Sequence, residues 1–219
     1  MGVKPSAGAL EATDLRAKVM RIARGLFAER GLRNVTVREI ALAAGQRNMG
    51  VVGYYFGTKE NLIAEILIEG AQEIEARRRT YLERMELGDG PRSVLEVIEA
   101  MVRPSVEYAE EATENTFNRF LMQVSLSDEG FIDRTLGGRW NSGYQRCLRL
   151  LRGFMAGLST AEQNRRFVFL GTYLGGLLAL RENMIADPTR AHATWRADAT
   201  LDDILITAAA LIAAPAGRP

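Results

Sequence analysis

The residues best placed to do recognition chemistry lie in one short run, Gln46-Arg47-Asn48-Met49-Gly50-Val51-Val52-Gly53, followed at once by Tyr54-Tyr55-Phe56-Gly57-Thr58-Lys59. Gln and Asn side chains pair bidentately with adenine and Arg pairs with guanine, so the first run can read base edges in a major groove. Gly50 and Gly53 keep the backbone free to approach a duplex. A tyrosine hydroxyl and a lysine beside the free amides of a helix start suit phosphate oxygens. Groups for other chemistry are scarce. Cys147 is the only cysteine, which excludes an intramolecular disulfide and a cysteine zinc site, and His192 is the only histidine. The two sit on different predicted elements, so no Cys-His or Ser-His-Asp centre is expected, nor a cofactor, and the chain does not read as an enzyme. Cys147 reads as a small buried hydrophobe. Gly137-Gly138 and Gly175-Gly176 are too isolated to form a phosphate-cradling loop.

The elements that must hold the 46–59 run are helices. Strand-like alternation is absent, and apolar residues recur at spacings of three and four. Leu15, Val19, Ile22 and Leu26, with Ala23 and Phe27 alongside, form the stripe of a first helix, which Gly31 ends. Thr36-Val37-Arg38-Glu39 is a capping box and starts a short helix burying Val37, Ile40 and Ala41, which ends at Gly45. A second short helix, starting near Gln46, fits between Gly45 and Tyr54. Thr58 caps the next helix, which carries Leu62, Ile63, Ile66 and Leu67 and runs to about Met85. Further helices are expected over 91–110, 114–126, 128–156, 160–186 and 200–213. Pro104 should kink or end the first of these, and Gly137-Gly138 weakens the third. The fold class is therefore all-α: residues 1–13 as a flexible leader, 14–60 as a three-helix unit with a helix-turn-helix, and 61–219 as a helical bundle for ligand binding and dimerisation.

Charge follows the same division. Net charge is +1 over 219 residues, yet residues 1–60 hold 10 Lys/Arg against 5 Asp/Glu, while the remainder holds 18 against 22. A basic front on an acidic body suits a nucleic-acid reader and argues against a sequence-neutral, uniformly basic DNA coat. The chain has no apolar run of about 18 residues or more, so no membrane partner is expected. Its first residues lack the apolar region of a secretory signal, which makes the cytoplasm the expected location.

The run Val19 to Leu67 resembles the N-terminal domain of the tetracycline-repressor (TetR) family. Phe27 and Gly31 occupy the family's first motif. Thr36, Val37, Ile40, Ala41, Ala44 and Gly45 occupy the second, and Tyr54, Phe56, Thr58, Lys59 and Leu62 the third. The match covers about 50 residues. The resemblance implies a homodimeric, sequence-specific transcriptional regulator on double-stranded operator DNA, most relatives being repressors released by a small-molecule effector. It implies phosphate contacts by Thr36, Arg38, Arg47, Tyr54 and Lys59, and base contacts by Gln46, Asn48 and Met49. Thr36 reads equally as a cap alone, Arg38 as a solvated charge, and Tyr55 as either packing or touching DNA.

For the body, the resemblance implies dimerisation through the last two long helices. Phe167, Leu170, Gly171, Leu174, Gly175 and Leu178 supply apolar and small residues on one, and Leu201, Ile204, Leu205 and Ala208 a stripe on the other. The alternative is that both stripes pack inside the monomer. The implied effector pocket has candidate walls in Met101, Phe117, Phe120, Leu121, Val124, Trp140, Tyr144, Phe154 and Tyr173, with Asn118, Gln123 and Asn141 as polar contacts. That lining predicts an apolar or aromatic ligand, although aromatics at helical spacing also build plain core.

Overall fold

A computed structural model describes residues 7–216 of the chain, apart from 49, 112–115, 129, 188 and 190; of residues 7–13 only the backbone is described. Helix α1 runs Ala7–Arg30, so half of the segment expected as a leader is helical. Its C-terminus closes at Gly31, whose φ of +80° an L side chain rarely adopts and whose N–H donates to Phe27 O at 2.9 Å. The capping box at Thr36 forms as the sequence predicts: Glu39 N donates to the Thr36 hydroxyl, and Thr36 N to the Glu39 carboxylate. Helix α2 follows, Val37–Ala43, then α3, Val51–Phe56, and α4, Lys59–Leu87, capped by Thr58.

The body continues with α5 (Val94–Glu111), α6 (Phe117–Ser127), α7 (Phe131–Leu136), α8 (Ser142–Phe154), α9 (Thr160–Ala186), α10 (Ala193–Arg196) and α11 (Asp198–Ala213). All elements among the described residues are helical. None is long and apolar enough to cross a membrane. The single helix expected over 128–156 is two, because Gly137 and Gly138 take φ of +55° and +70° and turn the chain between α7 and α8. A short α10 lies in the expected late loop.

Pro104 neither ends nor interrupts α5, and the reason lies in α4. Proline has no N–H for the carbonyl four residues earlier, so Ala100 O loses its helical partner. The buried guanidinium of Arg78 supplies it: Nε donates to Ala100 O at 3.2 Å and Nη2 to Met101 O at 3.1 Å. Glu75 pairs with Arg78, and its carboxylate accepts from Gly143 N at 2.6 Å and Tyr144 N at 3.3 Å. One ion pair on α4 thus satisfies the break in α5 and caps the start of α8. Glu182 of α9, 2% exposed, plays the same part for α6 by accepting from Asn118 N (2.9 Å) and Arg119 N (2.8 Å). Burial raises its pKa, and the two amides oppose that shift.

Two apolar cores result, and they do not divide at residue 60. The first joins Val19, Ala23, Phe27, Ile40, Val52 and Phe56 of the first three helices to Leu62, Ile66 and Leu67 of α4. It also takes in Phe117, Phe120 and Val124 of α6 and Leu136 of α7. The second lies between the end of α4, α5, α8, α9 and α11. The N-terminal head and α6 therefore form one packed unit.

Candidate nucleic-acid interface

The turn between α2 and α3 is built by Gly45. Its φ of +76° lets Gly45 N reach Leu42 O and Gln46 N reach Ala41 O, both at 2.9 Å, which closes α2 in a Schellman motif. Gln46, Arg47 and Asn48 accordingly sit in the turn ahead of α3, not in its first helical turn as the sequence suggests. Asn48 Oδ1 accepts from Gly50 N at 2.9 Å, which leaves the Asn48 side-chain N–H groups to donate to a partner. Arg47 and Asn48 are exposed and Gln46 is half-buried. Met49 lies outside the described residues.

Helix α3 turns Val51, Val52 and Phe56 into the core and leaves Gly53 and Tyr54 outside. Tyr54 is 83% exposed, an unusual cost for an aromatic ring with nothing to cover it. Tyr55 packs against the head core, its ring edge-on to Tyr54 at 5.0 Å. Asn61 Nδ2 donates to Phe56 O at 2.9 Å and ties the end of α3 to α4.

Lys59 is placed against expectation. Its ammonium donates to Leu32 O at 2.5 Å and Val35 O at 2.7 Å, and lies 5.7 Å from the centre of the Phe27 ring. It locks the α1–α2 loop to the start of α4 with two of its three N–H donors, and desolvation lowers its pKa. Thr36 is likewise committed, because its hydroxyl donates to Glu39 Oε2 at 2.7 Å. Glu39 also accepts from Arg30 at 2.7 Å, and these bonds hold its pKa down to about 2, the Thr36 amide contributing most. Arg38 and Arg47 are exposed with no partner among the described residues. Lys18 of α1, which spacing alone does not bring here, has its Nζ 3.9 Å from where a Cβ on Gly45 would sit.

An exposed edge that offers Arg47, Asn48 and Tyr54 around the N-terminus of a short helix, on a rigid three-helix head, has the form of a major-groove reader. Residues 19–66 match the family model for bacterial regulatory proteins of the tetR family. The head is therefore similar to the N-terminal domain of that family. It is 50% identical over 52 residues to the HTH-type transcriptional repressor KstR2 of Rhodococcus jostii (strain RHA1). That match spans 24% of this chain and about a quarter of the relative's length (25%).

Two solved structures share the whole-chain architecture. One is the TetR-family transcriptional regulator PfmR from Thermus thermophilus, at 20% identity and a TM-score of 0.52, covering 86% of this chain and 97% of that one. The other is the superantigen PfiT, at 19% identity and a TM-score of 0.50, covering 93% and 97%. Likeness at these identities establishes the fold alone, and the second neighbour's name shows that function rests on the site.

In the body of the chain, the expected dimer residues are mostly internal. Leu170, Leu174, Leu178, Leu201, Ile204, Leu205 and Ala208 are buried in the second core, and Phe167 packs against it beneath the Arg152 guanidinium. Gly171 is exposed, and Gly175 lies against Met122. The apolar surface left outside is a neighbouring stripe: Val168 (65% exposed), Phe169 (57%) and Leu180 (38%) on α9, and Ile206 (52%) on α11.

The expected pocket walls are also core. Phe117, Phe120 and Val124 fill the head–α6 core, with Leu121 and Trp140 packed against it. Met101 is in the second core, against which Tyr144 and Tyr173 pack, while Phe154 is partly exposed. Asn118 is held by Glu182, Gln123 lies against Gly31, and Asn141 precedes α8. These residues divide between the two cores. A cleft of about 440 Å³ opens elsewhere, between α1, α4 and α5, and its walls include Met20, Arg24, Glu69, Glu73, Arg77 and Tyr108. It is ionic where an apolar pocket was expected, and Arg77 bridges Glu73 and Glu111 across it.

Proposed function

We propose that the chain is a homodimeric, sequence-specific transcriptional regulator, a repressor that a small molecule releases from a palindromic operator. The observation that carries this reading is the exposed edge at the start of α3, where Arg47 meets no partner among the described residues and Tyr54 is 83% exposed. Arg47 is the residue able to take two acceptors on a guanine, and Tyr54 and Arg38 are suited to meet phosphates. A second copy covers the apolar stripe of Val168, Phe169, Leu180 and Ile206, which a lone protomer leaves in water. The two-fold then sets two heads on a pseudo-palindrome.

Effector control follows from the shared core. Because α6 packs with the head through Phe117 and Phe120, a ligand that repacks α6 moves the head with it. A change of 10–100-fold in operator affinity requires only about 1.4–2.8 kcal/mol of difference between the two states.

The test is selection of bound duplexes from a random pool, followed by titration of selected and scrambled duplexes over a range of salt. Marked preference with a salt-dependent affinity is the expected result. Equal affinity for every duplex would make the chain a sequence-neutral binder, and absence of binding would leave a helical small-molecule-binding protein.

A further inference from the structure

We infer that Lys18 of α1 is a phosphate contact of the reading head. This rests on the DNA-binding reading above. The cations of the head separate into two groups by their partners. Arg16 pairs with Glu65 and lies 5.2 Å from the centre of the Phe56 ring. Arg30 is bonded to Glu39, Arg24 to Thr116 and Tyr108, and Lys59 to two backbone carbonyls. These charges are spent inside the domain. Lys18, by contrast, is exposed and meets no carboxylate or carbonyl among the described residues.

Its position follows from α1. Val19, Ala23 and Phe27 face the core, and Lys18 lies on the exposed side of α1, which packs beside α2. Arg16 reaches the end of α3 at Phe56, and Lys18 reaches the end of α2, with Nζ beside Gly45 at the mouth of the α2–α3 turn. That turn carries Arg47 and Asn48 and leads into Tyr54, so an ammonium there borders the same strip of surface as the base-reading groups. A flexible lysine whose charge is uncompensated, at the rim of a groove reader, contacts backbone phosphate and not bases: it adds affinity to every sequence alike.

The experiment compares full-length wild type, Lys18→Gln and Lys18→Arg on the duplex selected by wild type and on a scrambled duplex, each from low to high salt. Neutralising one phosphate contact lowers the slope of log affinity against log salt by about 0.9 per head, hence about 1.8 for two heads. The expected result is that loss in Lys18→Gln on both duplexes, recovery in Lys18→Arg, and an unchanged unfolding midpoint. A Lys18→Gln slope equal to wild type's overturns the assignment while leaving DNA binding intact. A changed base preference overturns it too, by making Lys18 a base reader. If wild type selects and binds no duplex, the DNA-binding reading itself falls.

Discussion

The ammonium of Lys59 is enclosed by the carbonyls of Leu32 and Val35 and by the ring of Phe27, whereas the guanidinium of Arg47 meets no partner among the described residues. Their substitutions therefore separate. Lys59→Ala removes two charge-assisted bonds and lowers stability by about 1.5–3 kcal/mol, read as a lower urea midpoint. Arg47→Ala leaves that midpoint in place and costs about 1–3 kcal/mol of operator affinity, read by titration. Full operator affinity in Arg47→Ala would remove it from the reading group. Glu39 carries a pH signature. Its pKa in the folded chain is about 2, below the usual 4.5, so its charge contributes stability that is complete above about pH 4.5. That contribution fades as pH falls toward about 2. Glu39→Gln keeps the cap's shape without the charge, so its deficit relative to wild type should shrink on acidification through that window. A constant deficit would mean that the charge is not what matters.

Between elements, one close approach joins α4 to α6 at Gly70. A Cβ on Gly70 would lie 2.1 Å from Cε2 of Phe117, whose ring is walled in by Tyr108 at 5.2 Å and Phe120 at 6.0 Å. Gly70→Ala must displace that ring, at a cost of roughly 1–3 kcal/mol. Phe117→Leu opens space, so the double variant should be more stable than the sum of the single effects implies, and an additive double-mutant cycle would contradict the contact. Gly70 gave no sign of this in the sequence. Pro104 misled in the opposite direction: the rule that proline ends a helix assumes its orphaned carbonyl goes unmet, and here Arg78 meets it.

For the whole molecule, the proposed dimer rests on the exposed apolar residues of α9 and α11. Phe169→Asp should yield a folded monomer by sedimentation, with a normal circular dichroism spectrum and weakened operator binding, since one head holds DNA poorly. Leu174→Asp, further along the same helix but inside the second core, should instead unfold the body. A Phe169→Asp protein that remains dimeric would place the interface elsewhere. The stripe was legible only in part. The sequence showed α9 to be more apolar than one core face needs, and then assigned the inward face to the partner.

What the sequence determined by itself is whatever acts within a turn or two of helix. Thr36 with Glu39, Ser159 with Glu162, Gly31, Gly45 and Gly57 set helix ends through bonds between near neighbours, so they hold wherever the helices pack. The motif from Val19 to Leu67 is of this kind, and it carried the helix-turn-helix and the resemblance to the TetR family. Tertiary structure decided which apolar stripe faces inward and which charge each polar group meets. Lys59 finds carbonyls 24 and 27 residues away, and Glu182 caps α6 from 64 residues along the chain. Burial sets those pairings, because a charge withdrawn from water must find a partner whatever its distance in sequence, and only packing brings that partner near.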